Sequence, residues 1–136
     1  MKTQYIAEVI SQGGRAGVVE SATGGFSAKL HPPSEESRDG STTPEDLFGA
    51  AYAACFHSAV ANAAERAHLK LEGSTITARV ALDETDQGGY QLGVELRATL
   101  PGIDEAQAKR LLHQAHQTCP YSKAVRGNVD VKLTLD

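Results

Sequence analysis

The order of periodicities along the chain predicts an α+β fold. Three short alternating segments come first, then a long small-residue segment opened by helix-capping residues, then two alternating segments, a helical one and a last alternating one. Strands arrive in runs rather than in strict alternation with helices, so the pattern predicts an α+β domain and not a series of βαβ units. At 136 residues the chain fits one domain, 1–136, and can bury about two-thirds of its extended surface without metals or crosslinks.

Each element has its own signal. Tyr5, Ala7 and Val9 alternate, then Ala16, Val18 and Val19 after Gly13-Gly14, then Phe26, Ala28 and Leu30 after Gly24-Gly25, which predicts three short strands joined by glycine turns. The stretch from His31 to Thr42 is rich in proline, serine and glycine and predicts a loop long enough to act as a lid. Thr43 then offers a cap, Pro44 suits the first helical position, and Glu45 and Asp46 place negative charge at the positive helix end. The helix predicted here runs to about Ala67, and its body, Leu47 to Ala61, is small and apolar almost all round. Such a helix is buried on most sides, which one small domain achieves with difficulty. A second subunit packed against it, giving a homodimer, is the expectation.

Thr75 to Asp83 and Tyr90 to Leu100 predict a hairpin across Asp86-Gln87-Gly88-Gly89. Asp104 caps a second helix with Ala108, Leu111, Leu112 and Ala115 at helical spacing, ended near Cys119 by Pro120. Val129, Val131, Leu133 and Leu135 alternate as a last strand after an Arg126-Gly127-Asn128 turn.

Composition excludes several functions. A formal charge of −4 gives no basic surface for nucleic acid, and no stretch approaches the roughly 18 apolar residues of a membrane span. Glu8 interrupts the N-terminal apolar run, which lacks the pattern of a secretory signal, so a cytoplasmic location is expected. Thiols there are held reduced, so two cysteines point to catalysis, metal binding or simple packing rather than a static crosslink.

Read from the residues alone, the roles of Cys55 and Cys119 stay open. Cys55 reads first as a small hydrophobe filling a helix interface and, only if a cation reaches it, as a nucleophile. Cys119 lies at a helix end, where carbonyls oppose a thiolate, and suits a resolving partner better. A metal site is the rival, since His113, His116 and Cys119 recur at i, i+3 and i+6 with His57 as a fourth ligand, although no acidic residue of that helix stands by to orient the rings. No metal and no cofactor is expected on balance.

Thr43-Pro44-Glu45-Asp46-Leu47-Phe48, Ala51-Tyr52-Ala53-Ala54-Cys55-Phe56, Cys119-Pro120-Tyr121-Ser122, Arg126-Gly127-Asn128 and the early Gly-Gly-Arg-Ala-Gly together resemble the OsmC/Ohr family of thiol peroxidases, in particular its organic hydroperoxide resistance branch. The resemblance covers essentially the whole chain. It implies an α+β fold of antiparallel sheets around two central helices, an intertwined homodimer with its site at the subunit interface, Cys55 as peroxidatic thiol, Cys119 as resolving thiol, Arg15 as the arginine that holds the thiolate and Glu45 as the carboxylate that positions Arg15. It further implies reduction of organic hydroperoxides to alcohols in oxidative stress defence through a Cys55–Cys119 disulfide, with a lipoyl-bearing protein or small dithiol as reductant. His57-Ser58 and Lys123-Ala124-Val125 depart from the pattern of that branch and bear on pocket shape, which the apolar helix predicts to suit fatty or aryl hydroperoxides. The alternative is a non-enzymatic protein of the same fold that binds small hydrophobic ligands.

Glu45 and Cys55 are ten residues apart, about 15 Å along one unbroken helix. Either that helix breaks near Gly49, or Arg15 spans part of the gap, or Arg15 and Glu45 serve the Cys55 of a second subunit. The last is the favoured expectation.

Overall fold

The computed structural model describes residues 1–33 and 40–136. The chain divides into two compact units, Met1–Leu47 and Phe48–Asp136.

The first unit holds an antiparallel sheet of β1 (Val9–Gln12), β2 (Val18–Ser21) and β3 (Ser27–Lys29) in that order. The first strand begins at Val9 rather than Tyr5 because β2 ends its pairing there: Ser21 lies opposite Val9, and the Ala22 N–H reaches only Glu8. A 3-10 turn at Gly14–Ala16 joins β1 to β2 and carries Arg15. Its glycines are required, since Gly13 and Gly14 adopt φ of +87° and +64°, and a Cβ at Gly17 would sit 1.8 Å from the Gln12 carbonyl oxygen. All four residues of β1 are exposed, and Val9, Ile10, Val18 and Phe26 each show more than a third of their surface.

Residues 34–39 of the expected lid lie outside the described residues. Its ends are tied together by a parallel bridge between Leu30 and Thr42 and by a 2.8 Å hydrogen bond between His31 Nδ1 and Ser41 Oγ.

Helix α1 (Pro44–Arg66) begins as expected, with the Asp46 N–H donating to Thr43 Oγ1 at 3.1 Å and the Thr42 hydroxyl donating to the Asp46 carboxylate at 2.8 Å. It does not break at Gly49. That residue is buried, and a Cβ there would come 3.3 Å from Val80 Cγ2, so the missing side chain lets the helix lie close on the neighbouring strand.

In the second unit β4 (Thr75–Glu84) and β5 (Tyr90–Thr99) form the expected hairpin, with Gly88 at φ +82° in the turn. Helix α2 (Glu105–Thr118) is capped by Asp104, whose carboxylate accepts from the Gln107 N–H at 2.9 Å. β6 (Val131–Leu135) pairs with β5 in parallel, so the sheets are antiparallel except along this edge. The connection from Thr99 to Val131 is long enough to carry the chain back to the same end of the sheet, which parallel pairing requires. One short helix was not expected: α3 (Pro120–Val125) begins at the proline that ends α2, because the first helical position needs no N–H. Tyr52, Phe56 and Val60 of α1, Leu96 of β5 and Leu111 and Leu112 of α2 make the core between sheet and helices.

Candidate active site

The two sulfurs, 64 positions apart in sequence, meet within the second unit. Cys55 Sγ and Cys119 Sγ are 3.5 Å apart, both as free thiols. Cys55 sits mid-way along α1 and is partly exposed, while Cys119 is fully buried at the corner where α2 ends and α3 begins. Burial pushes the Cys55 thiol above its ordinary value, and the proton shared with Cys119 pushes it further, against an opposing hydrogen bond from the Tyr121 backbone. Within its own unit, then, Cys55 is brought to a partner sulfur but held as a thiol.

A buried polar node surrounds the corner. Ser122 Oγ lies 2.7 Å from the Tyr52 hydroxyl and 2.8 Å from His116 Nδ1, and Arg126 donates to the His116 carbonyl. Tyr52 and Ser122 are both fully buried. Burial lowers the His116 imidazole below its ordinary value, helped by the charge of Arg126 and by His113, so the neutral ring is favoured. Burial likewise raises the Tyr52 phenol. The Tyr52 ring meets Phe48 edge-on and Tyr121 at a tilt, each with centroids 6.1 Å apart. In the sequence Ser122 stands out only as part of a motif and His116 only as a candidate ligand. Their signal was symmetric placement, three residues either side of Cys119, around a proline that both ends and starts a helix.

In the first unit Arg15 and Glu45 form the paired group expected of them. Arg15 Nη1 donates to Glu45 Oε1 at 2.7 Å and to Oε2 at 3.1 Å, with Arg15 half exposed and Glu45 largely covered. The hydrogen bond and charge of Glu45 hold the guanidinium all the more firmly in its charged form. Thus the four expected site residues come together as two pairs, the thiols in one unit and the ion pair in the other.

Three of the four residues of the metal alternative, His57, His116 and Cys119, are engaged elsewhere. His57 Nε2 lies 2.9 Å from Ser74 Oγ, His116 bonds Ser122, and among the described residues no three His, Cys, Asp or Glu side chains converge as ligands. Beside Cys55 a groove of about 330 Å³ runs along α1 past Ser58, Asn62 and Arg66 to Thr118 and Pro120. Its lining is mixed rather than apolar, because Ser58, Asn62 and Arg66 share the helix face that carries Cys55.

The family profile described as OsmC-like protein matches residues 37–134. The organic hydroperoxide resistance protein of Xanthomonas axonopodis pv. citri (strain 306) is 44% identical over 137 residues, spanning 98% of this chain and 96% of the relative. The organic hydroperoxide resistance protein OhrB of Bacillus subtilis (strain 168) is 42% identical, spanning 96% and 97%. The crystal structure of Bacillus subtilis OhrB superposes with a TM-score of 0.92 at 39% identity, covering 98% of this chain and all of that one. An organic hydroperoxide resistance protein structure from Legionella pneumophila gives 0.90 at 41% identity, with 99% of each chain covered.

Proposed function

The chain belongs to the OsmC-like protein family, and from that premise we propose that it is a cysteine-dependent peroxidase reducing organic hydroperoxides to alcohols, acting as a single domain across its 136 residues. The observation that carries this reading is the 3.5 Å approach of an accessible thiol, Cys55, to a buried one, Cys119, beside a groove. The Cys55 thiolate attacks the terminal peroxide oxygen, the O–O bond breaks, and the departing alkoxide takes a proton to leave as alcohol. Cys55 is left as sulfenic acid. Cys119 then attacks that sulfur, the S–O bond breaks, and hydroxide leaves as water with the proton Cys119 gave up. A dithiol, free or lipoyl-borne, reduces the resulting disulfide by exchange and restores both thiols.

The thiolate requires a cation, since Cys55 is otherwise pushed toward its protonated form. Arg15, kept rigid by its two bonds to Glu45, is the guanidinium assigned to it. The ten-residue spacing of Glu45 and Cys55 favours delivery of Arg15 from a second subunit. A homodimer is further supported by the uncovered apolar residues of the β1–β3 sheet and by Ala50, Ala54, Ser58 and Ala61, small exposed residues of α1 that permit close helix approach. No helix among the described residues is long and apolar enough to cross a membrane, and we place the protein in the cytoplasm, where dithiol reductants are kept reduced.

Titration of free thiols before and after one equivalent of cumene hydroperoxide tests the reading. Loss of both thiols is expected. Two surviving thiols would instead leave a binding protein of the same fold, with the cysteines as packing residues.

A further inference from the structure

We infer that Ser122, with His116 and Tyr52, is a positioning node that sets the reach of the buried thiol Cys119 toward Cys55. The inference rests on the thiol pairing proposed above but concerns residues that pairing does not use.

A disulfide holds its sulfurs about 2.05 Å apart, so the pair must close by roughly 1.5 Å from 3.5 Å. Cys55 belongs to the middle of a 23-residue helix whose neighbours Tyr52 and Phe56 are fully buried, so it has little freedom to travel. Cys119 belongs to a corner, with extended backbone (φ −62°, ψ 122°) between two helices, and the sulfur moves if the corner moves. The hydrogen bond between His116 and Ser122 bridges that corner, linking the last turn of α2 to the first turn of α3, with Cys119 between them. The bond between Ser122 and Tyr52 then ties the bridge to α1 three residues before Cys55, on the helix face neighbouring it. One hydroxyl therefore indexes the Cys119 corner to the Cys55 turn. Because Ser122 and Tyr52 are both fully buried, losing the serine hydroxyl leaves the Tyr52 hydroxyl without a replacement from water.

The chemical consequence concerns competition. A sulfenic acid on Cys55 meets either Cys119 or a second peroxide, and a closer, stiffer corner favours the first. In this scheme Ser122, His116 and Tyr52 act through the placement of Cys119 and not on the peroxide.

Equilibrium of the two thiols with reduced and oxidised glutathione measures the effective concentration of one sulfur at the other without any peroxide. Ser122→Ala is expected to lower it by about tenfold, the equivalent of one or so net hydrogen bonds, while Ser122→Thr and His116→Asn, which keep a hydrogen-bonding group at each position, are expected to lower it less. In parallel, with cumene hydroperoxide, Ser122→Ala is expected to reach half over-oxidation of Cys55 at about tenfold lower peroxide while the first reaction of Cys55 stays as fast as in the native chain. An effective concentration in Ser122→Ala within twofold of the native chain would overturn the inference. So would an equal loss in Ser122→Ala and Ser122→Thr, which would assign the residue to packing alone. If native Cys55 ignores the hydroperoxide, the peroxidase reading fails, while the glutathione equilibrium still decides the node.

Discussion

At the level of single residues, the two thiols carry unequal environments, and their substitutions should separate cleanly. Cys55→Ser is expected to abolish thiol-dependent consumption of cumene hydroperoxide, whereas Cys119→Ser should consume about one equivalent and then accumulate over-oxidised Cys55, seen as a mass gain on the intact protein. Arg15 should be read through pH. Burial and the shared proton raise Cys55, so without the guanidinium the acid limb of the rate profile should move to higher pH. Arg15→Ala is expected to lose about tenfold or more in reaction rate near neutrality and to recover toward alkaline pH, measured as the second-order rate constant with hydroperoxide. An unshifted limb would separate Arg15 from thiol activation. The residue types and motif positions of Cys55, Cys119, Arg15 and Glu45 were legible from the chain. The node around Ser122 was not, since nothing in a sequence reports that Tyr52, His116 and Ser122 share one hydroxyl across 70 positions.

Elements were legible where local chemistry decides them. The Thr43-Pro44-Glu45 start of α1, the Asp104 cap of α2 and the hairpin before β5 all appear where the turn and capping residues place them. The start of β1, the parallel pairing of β6 and the existence of α3 were missed because each depends on a partner or a packing site distant in sequence. Gly49 tests the packing of α1 on β4. With a would-be Cβ 3.3 Å from Val80 Cγ2, Gly49→Val should cost about 1–3 kcal/mol by overpacking, while Gly49→Ala should be close to neutral, the gain in helix propensity offsetting the tight contact. Denaturant midpoints measure both. The α2–α3 corner should also be acid-sensitive. His116 is lowered from 6.5 by burial first and then by Arg126 and His113, so the unfolded chain binds its proton more readily than the folded one. Its contribution is complete above the unfolded value and is lost as pH falls through 6.5 toward the lower folded value. Thermal melts between about pH 7.5 and about pH 5.5 should therefore show a falling midpoint, and the fall should be shallower in His116→Asn.

For the whole molecule, the α+β class was legible from the order of periodicities, while assembly was suggested only by what a lone chain leaves uncovered. Val9 and Ile10, in a strand with no buried residue, and the small-residue face of α1 are the surfaces on which a dimer would depend. Sedimentation should give twice the mass of one chain, and Ile10→Glu with Val18→Glu should shift it toward one. A native chain sedimenting as a single copy would remove the two-subunit site. The meeting of Cys55 and Cys119 has one more consequence, which belongs to thermodynamic linkage. A bond between positions 64 apart would close a large loop of the unfolded chain and, on chain-entropy grounds, would favour the folded state by about 4 kcal/mol. Each turnover would then carry the protein between a less and a more stable form of itself, so the oxidised form should melt higher than the reduced one, and a substitution that destabilises the oxidised fold more than the reduced one should by that difference make its disulfide easier to reduce.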